Sequence, residues 1–117
     1  MSNSIEHFDL QKTRLCSSVV LTWATGNPDE FKKSEKLLKE QLGIGSSATS
    51  AFQFMSGKRA KAALECGLPE EQVQLLEAHH IAKEVCAKYG LGAVNKPDQI
   101  DRAELLALVK SRQYALQ

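Results

Sequence analysis

The sequence is poor in the features that mark membrane proteins and disulfide-rich domains. Its 117 residues hold three prolines, three cysteines and 6% aromatic residues. No run approaches the roughly 18 apolar residues that a membrane-spanning helix needs, and the polar N-terminal segment lacks the apolar core of a signal peptide. No internal repeat or low-complexity tract is visible. We therefore expect one folded domain in the cytoplasm.

The cysteines also argue against disulfides. Cys16, Cys66 and Cys86 are odd in number and form no Cys-x-x-Cys pair, as is typical of reduced thiols in a cytoplasmic protein. One alternative remains, because His79 and Cys86 lie two turns apart on one predicted helix, where Cys66 could join them in a zinc or thiol site. The spacing matches no known zinc pattern, and His79 and His80 point about 100° apart. We predict no metal and no cofactor.

The sequence also has almost no excess of one sign of charge, and it is poor in catalytic motifs. Fifteen Lys and Arg against 14 Asp and Glu give a net charge of +1, which argues against a strong non-specific polyanion binder but permits a local basic patch. No paired acids or glycine-rich cofactor fingerprint stand out. The segment 43–47 lacks the Gly-Lys-Ser/Thr that closes a phosphate-binding loop. We predict that the chain is not an enzyme, and nothing indicates a small-molecule substrate.

What the sequence does contain is helical periodicity. Apolar residues recurring every three or four positions predict an all-α bundle of about five helices joined by short turns. We expect residues 1–7 to fray and residues 8–117 to form a single helical domain. The segment 19–22 has β character, so a strand there is the alternative. The flanking apolar spacing favours a helix, with Trp23 as a core anchor rather than an exposed contact.

Local signals predict where the helices begin and end. Asn27 can cap the second helix, and the Ser46–Ser47 pair the third. Gly57 lies inside the third helix and should split it or admit a close neighbour. Asp101 and Glu104 form a capping box for the last helix. The third helix is expected to bury Ala48, Ala51, Phe52, Met55, Ala62, Ala63 and Cys66.

Residues 58–89 predict a central corner made of a helix, a short turn and a second helix. Gly67 can close the first helix, and the proline two residues later cannot continue it. The second helix has a broad apolar face and a narrower stripe of Val73, Leu76 and His80. A helix that is apolar on two sides has neighbours on both, so we place it centrally.

Residues 59–78 resemble a helix-turn-helix unit. The residues that carry the resemblance are Ala63, Gly67, Leu68, Val73 and Leu76. The resemblance implies that the second helix reads DNA, with Gln72 and Gln74 as neutral base-reading candidates. Its first turns also carry Glu70, Glu71 and Glu77, whose carboxylates a polyanion would repel. A helical corner that only packs a core needs much the same residues.

Two basic sets are candidates for macromolecular contact. The first is Lys58, Arg59 and Lys61, on the helix that would cross the DNA backbone. The second is the stripe Lys32, Lys36 and Lys39 on the second helix. For both sets a solvated face is the alternative, and Glu35 and Glu40 are placed to pair with the stripe's lysines.

Together these features predict a small cytoplasmic regulator or adaptor that acts by binding a macromolecule and catalyses nothing. The acidic start of the second corner helix favours a protein partner, which includes a second copy of the chain contacted through Val73, Leu76 and His80. The first alternative is a DNA-binding transcriptional regulator of the helix-turn-helix type. The second is a metal or thiol protein that uses His79, Cys86 and Cys66.

Overall fold

The computed structural model describes residues 2–43, 47–66 and 72–115. In these ranges it contains six α-helices, two short 3₁₀ helices and no strand. The α-helices are α1 (Ser2–Thr25), α2 (Pro28–Leu42), α3 (Ala48–Ser56), α4 (Lys58–Glu65), α5 (Gln72–Tyr89) and α6 (Arg102–Ala115), and the 3₁₀ helices Leu91–Asn95 and Pro97–Gln99 lie between α5 and α6. None of the described helices is long and apolar enough to cross a membrane.

The predicted all-α bundle is confirmed, and the strand considered for residues 19–22 is wrong because that segment lies within α1, near its C-terminal end. The fraying expected of residues 1–7 stays a prediction. We placed the helix of residues 72–89 at the centre. The centre is shared, because α5 packs against α1, α3, α4 and α6, whereas α1 packs against all five other α-helices.

The core forms where α1, α3 and α5 meet. Phe52 of α3, Val19 of α1 and Ile81 of α5 have no exposed surface. Trp23 is 5% exposed and packs edge-on against Phe52, with ring centroids 5.0 Å apart. Its indole N–H donates to the Val94 carbonyl at 3.1 Å, so that burial of the ring leaves its polar group bonded. The prediction of a core anchor at Trp23 is confirmed.

Gly57 splits the predicted third helix into α3 and α4. Its backbone is extended, with φ −95° and ψ 176°, and therefore leaves the helical path. Because this break turns α4 relative to α3, two of the three core positions expected beyond it are wrong, whereas Ala63 is buried as expected. Ala62 and Cys66 are exposed, and Ala60 and Leu64 are buried in their place.

The caps largely follow the prediction. Asn27 accepts the amide N–H groups of residues 29 and 30, and Ser47 accepts that of residue 50. Asp101 accepts two amides at the start of α6, at 3.0 and 3.3 Å. The second half of the predicted capping box, in which the Glu104 carboxylate would accept the backbone N–H of Asp101, is wrong. Glu104 instead accepts the Tyr89 hydroxyl at 2.9 Å and pairs with a lysine of α5. Its carboxylate thus joins α6 to α5.

The end of α1 is held by a residue far along the chain. Gly26 has a φ of +77°, a left-handed conformation that favours glycine, and its N–H returns to the Trp23 carbonyl at 3.2 Å. Both terminal guanidinium nitrogens of Arg102 lie 3.4 Å from the same oxygen. A Cβ on Gly26 would overlap this guanidinium, because Arg102 occupies the space that a side chain at position 26 would need.

Gly26→Ala should therefore lower the free energy of unfolding by about 2 kcal/mol or more, because left-handed strain costs roughly 1–2 kcal/mol and Arg102 must also move. Gly90→Ala is the matched control, since Gly90 has a φ of +82° but would place its Cβ in open space. Urea unfolding measures both variants. Equal losses would show that the contact with Arg102 contributes nothing.

Candidate macromolecule-binding surface

The basic cluster of α4 faces outward. Ala60, Ala63 and Leu64 are buried on one side of this helix, which turns the side chains of Lys58, Arg59 and Lys61 toward solvent. Among the residues that the structure describes, none of these three cations lies within ion-pair distance of a carboxylate. They are therefore available to an acidic partner. We refer to them, together with Val73 and Gln74 of α5, as the α4–α5 surface.

The narrow apolar stripe of α5 is open at one end. Val73 is 47% exposed and Gln74 is exposed, whereas Leu76 and His80 are half-buried. Gln72 begins α5, but its side chain is outside the described part of the chain. The stripe thus offers one prominent apolar side chain and a partly covered continuation of it. Its use in self-association stays a prediction.

The turn of the helix-turn-helix-like unit, including Gly67, Leu68, Glu70 and Glu71, lies outside the described residues. One expectation about its second helix is wrong. Glu77, which we expected to repel a polyanion, is 5% exposed and therefore cannot present its carboxylate to a large partner. The helical phase of α5 explains this, because position 77 lies one turn before the fully buried Ile81 and shares its face.

The stripe on α2 lies in a different part of the fold. Lys32, Lys36 and Lys39 are exposed, and Lys36 lies 4.0 Å from Glu40, as expected of a solvated face. Glu35 does not pair with the stripe but accepts the backbone N–H of Ala48, at the start of α3, at 3.3 Å. Since α2 packs chiefly on α1 and no substantial packing joins it to α4, the two basic sets are separate.

His79 fastens α5 to the end of α3. It is 8% exposed, and its Nδ1 lies within hydrogen-bond distance of the Met55 carbonyl, one residue before α3 ends. Burial lowers the pKa of His79, the hydrogen bond to Met55 opposes that shift, and the charges of Lys83 and Lys61 add to it. His79 is therefore neutral at pH 7, with Nδ1–H as the donor. Its surroundings place Lys61 and Lys83 on one basic region of α4 and α5.

Burial disfavours the thiolate form of two of the three cysteines. Burial raises the pKa of Cys86, although a hydrogen bond with Ser56 opposes the shift, and burial raises the pKa of Cys16 to about 12. Both remain protonated at neutral pH, and a thiol is a poor nucleophile and metal ligand. Cys66 is exposed on α4. Within the described ranges, no three His, Cys, Asp or Glu side chains are grouped as metal ligands.

Two features of the structure were not predicted from the sequence. Lys83 lies one helical turn after His79, a spacing that could have been recognised. The contact between Arg102 and Trp23 joins residues 79 positions apart, for which no local signal exists. Comparison with known proteins adds nothing to either, because no family model, curated protein or solved structure matches the chain. Function must be inferred from the chain's own residues.

The neutral state of His79 makes stability depend on pH. An unfolded histidine has a pKa of about 6.5, and the folded value is lower, so between the two the unfolded chain binds more protons. We expect the free energy of unfolding to fall as the pH decreases below about 7 and to stop falling below the folded pKa. Urea unfolding across this range measures the slope.

Two glutamine variants test whether His79 causes this dependence of stability on pH. His79→Gln should flatten it, because the titrating group is gone while an amide donor can still reach Met55. His80→Gln is the control on the neighbouring residue, whose ring lies 5.7 Å from that of His79, and should keep most of the slope. An unchanged slope in His79→Gln would contradict the neutral assignment.

Proposed function

We propose that this protein is a non-catalytic regulator or adaptor that binds another protein through the α4–α5 surface. The exposure of Val73 carries the proposal, because this residue, 47% exposed, continues along α5 into the half-buried Leu76 and His80, and an apolar stripe is surface that a partner can cover. The three cations of α4 lie on the helix that packs against α5. An apolar contact with charged residues on a neighbouring helix is a usual arrangement in non-obligate interfaces.

The charge of the surface indicates what the partner offers. Lys58, Arg59 and Lys61 are without carboxylate partners among the described residues, and Lys61 and Lys83 both act on His79. An acidic protein surface would complement this region and accelerate association. Arg59 is the best candidate for a strong contact, since arginine is enriched where alanine substitution costs most.

A second copy of the chain is the first partner to test. In a twofold dimer the same patch meets itself, so Val73, Leu76 and His80 of one copy would cover their equivalents in the other. Such pairing would bury the exposed part of Val73. It would also bring the cations of the two copies closer, which favours a different, acidic partner whenever one is present.

Val73→Asp should weaken the interaction about tenfold, because it places a charge where apolar contact is required. Leu37→Asp is the matched control, since Leu37 is 49% exposed but lies on α2. We expect tagged wild-type chain and Leu37→Asp to retain the same protein from a cell extract, with Val73→Asp retaining about tenfold less. Equal retention by all three chains would overturn the proposal.

Light scattering over a range of concentrations determines whether the retained protein is a second copy. Self-association predicts a mass that rises toward that of a dimer in the wild-type chain and in Leu37→Asp, but not in Val73→Asp. A monomeric mass for all three chains, together with a retained protein of different sequence, would assign the surface to a different partner.

Binding of DNA is the second candidate function, and two observations favour it. The exposed cations of α4 are suited to phosphate, and Glu77 is buried rather than turned toward a ligand. Among the described side chains of α5, the first exposed ones are then Val73 and Gln74, which can contact a thymine methyl group and an adenine edge respectively. The helix-turn-helix-like pattern of residues 59–78 is consistent with this use.

Salt dependence tests the alternative. Fluorescence anisotropy with a labelled duplex should show an affinity that falls steeply as salt rises. Replacement of Lys58, Arg59 and Lys61 by glutamine should reduce the slope of log K against log salt by about 0.9 for each lost phosphate contact. The same change at Lys32, Lys36 and Lys39 is the control. Absent or salt-insensitive binding would remove DNA as the ligand.

A further inference from the structure

A cleft of about 750 Å³ lies where the end of α1 meets the starts of α2, α3 and α6. Its walls combine aromatic and aliphatic side chains with three charged groups. The residues that matter here are Trp23, Phe31, Glu35, Asp98, Ile100 and Arg102. We call it the Trp23–Arg102 cleft. Its size is that of a small-molecule site, and such sites pair an apolar lining with a few polar groups.

Arg102 supplies the positive charge of the cleft. Its two terminal nitrogens share a single carbonyl oxygen, that of Trp23, at 3.4 Å each, which is long for such a bond. No carboxylate in the described part of the chain lies within ion-pair distance of it. A guanidinium has five N–H donors in a fork that fits a carboxylate. Arg102 is thus placed by the fold but only partly bonded.

Glu35 and Asp98 supply negative charge at the same cleft. Glu35 is half-buried, and one of its oxygens accepts the Ala48 amide at 3.3 Å, which holds the carboxylate at the wall. Asp98 is exposed on the 3₁₀ helix before α6. Two carboxylates and one guanidinium match neither a simple anion nor a neutral apolar molecule. They match a ligand that carries both an ammonium and a carboxylate.

The remaining lining is apolar. Phe31 is half-buried at the edge of the core, and Ile100 is buried with 6% exposure. Trp23 underlies the cleft with its N–H already bonded to Val94, so its ring contributes apolar contact. A side chain that enters the cleft would therefore meet mainly carbon.

We propose that the Trp23–Arg102 cleft binds a free amino acid with an apolar side chain. Its carboxylate pairs with Arg102, its ammonium with the Glu35 carboxylate that Ala48 holds at the wall, and its side chain packs against Phe31. This site is distinct from the α4–α5 surface and would hold whether or not that surface binds a partner. A ligand in the cleft contacts the end of α1 and the starts of α2 and α6, and so stabilises the folded chain by mass action.

L-phenylalanine and L-leucine are the probes, and two readouts are available in the intact protein. Trp23 is the only tryptophan, so its fluorescence reports on the cleft. Backbone amide NMR signals give the location. We expect a saturable fluorescence change, with the signals of Gly26 and Asn95 shifting while those of Lys61 and Gln74 stay in place. The melting temperature should rise with probe concentration.

Two single-charge analogues test the need for both charges. Hydrocinnamate lacks the ammonium and phenethylamine lacks the carboxylate, and each should bind at least about tenfold more weakly than L-phenylalanine. These comparisons use the wild-type chain and do not depend on any variant folding. Equal binding of either analogue would overturn the zwitterion assignment.

Substitutions then assign the charged groups. Arg102→Gln and Glu35→Gln should each weaken L-phenylalanine binding by about tenfold or more, whereas Lys36→Gln on the exposed side of α2 should not. Thermal unfolding verifies that each variant is folded. Unchanged binding in Arg102→Gln would overturn the proposal. So would the absence of any saturable change in fluorescence, NMR signals or melting temperature with the wild-type chain at millimolar probe.

Discussion

Every other α-helix packs against α1, so the burial of one face of α1 governs how the whole bundle assembles. Trp23 of α1 contacts three other parts of the fold. Its ring packs on Phe52 of α3, its N–H bonds to Val94, and its carbonyl accepts Arg102 of α6. One residue thereby joins α1 to α3, to the segment after α5 and to α6. The cleft beside it exists because these elements converge there.

Whereas Trp23 joins elements through the core, the break at Gly57 determines which side chains of α4 are exposed to solvent. The extended residue turns α4 so that Ala60 and Leu64 replace Ala62 and Cys66 in the core. The cations of α4 consequently face solvent. His79 closes the same junction by bonding to the Met55 carbonyl, and its low pKa keeps it neutral beside two lysines. Surface chemistry at α4 thus follows from backbone geometry at one glycine.

The two proposed sites differ in shape and in the signs of charge that they carry. The α4–α5 surface is open, with the exposed Val73 and with cations that have no carboxylate partner in the described part of the chain, and suits a large partner that contributes its own acidic groups. The Trp23–Arg102 cleft is concave and carries both signs of charge, and suits a small molecule. They lie on different helices, but α1 and α5 each pack against both α4 and α6, so either helix could transmit the effect of a ligand in the cleft to the surface.

By itself the sequence determined the helical class and most helix ends, because apolar spacing and caps such as Asn27 and Asp101 act within a few residues of the chain. Tertiary structure decided the rest. The orientation of the buried face of α4 depended on the backbone at Gly57. The Glu104 carboxylate accepts the Tyr89 hydroxyl and not the amide predicted by the capping box, and Glu77 is buried. Arg102 meets Trp23 across 79 positions, a contact that only packing can bring about.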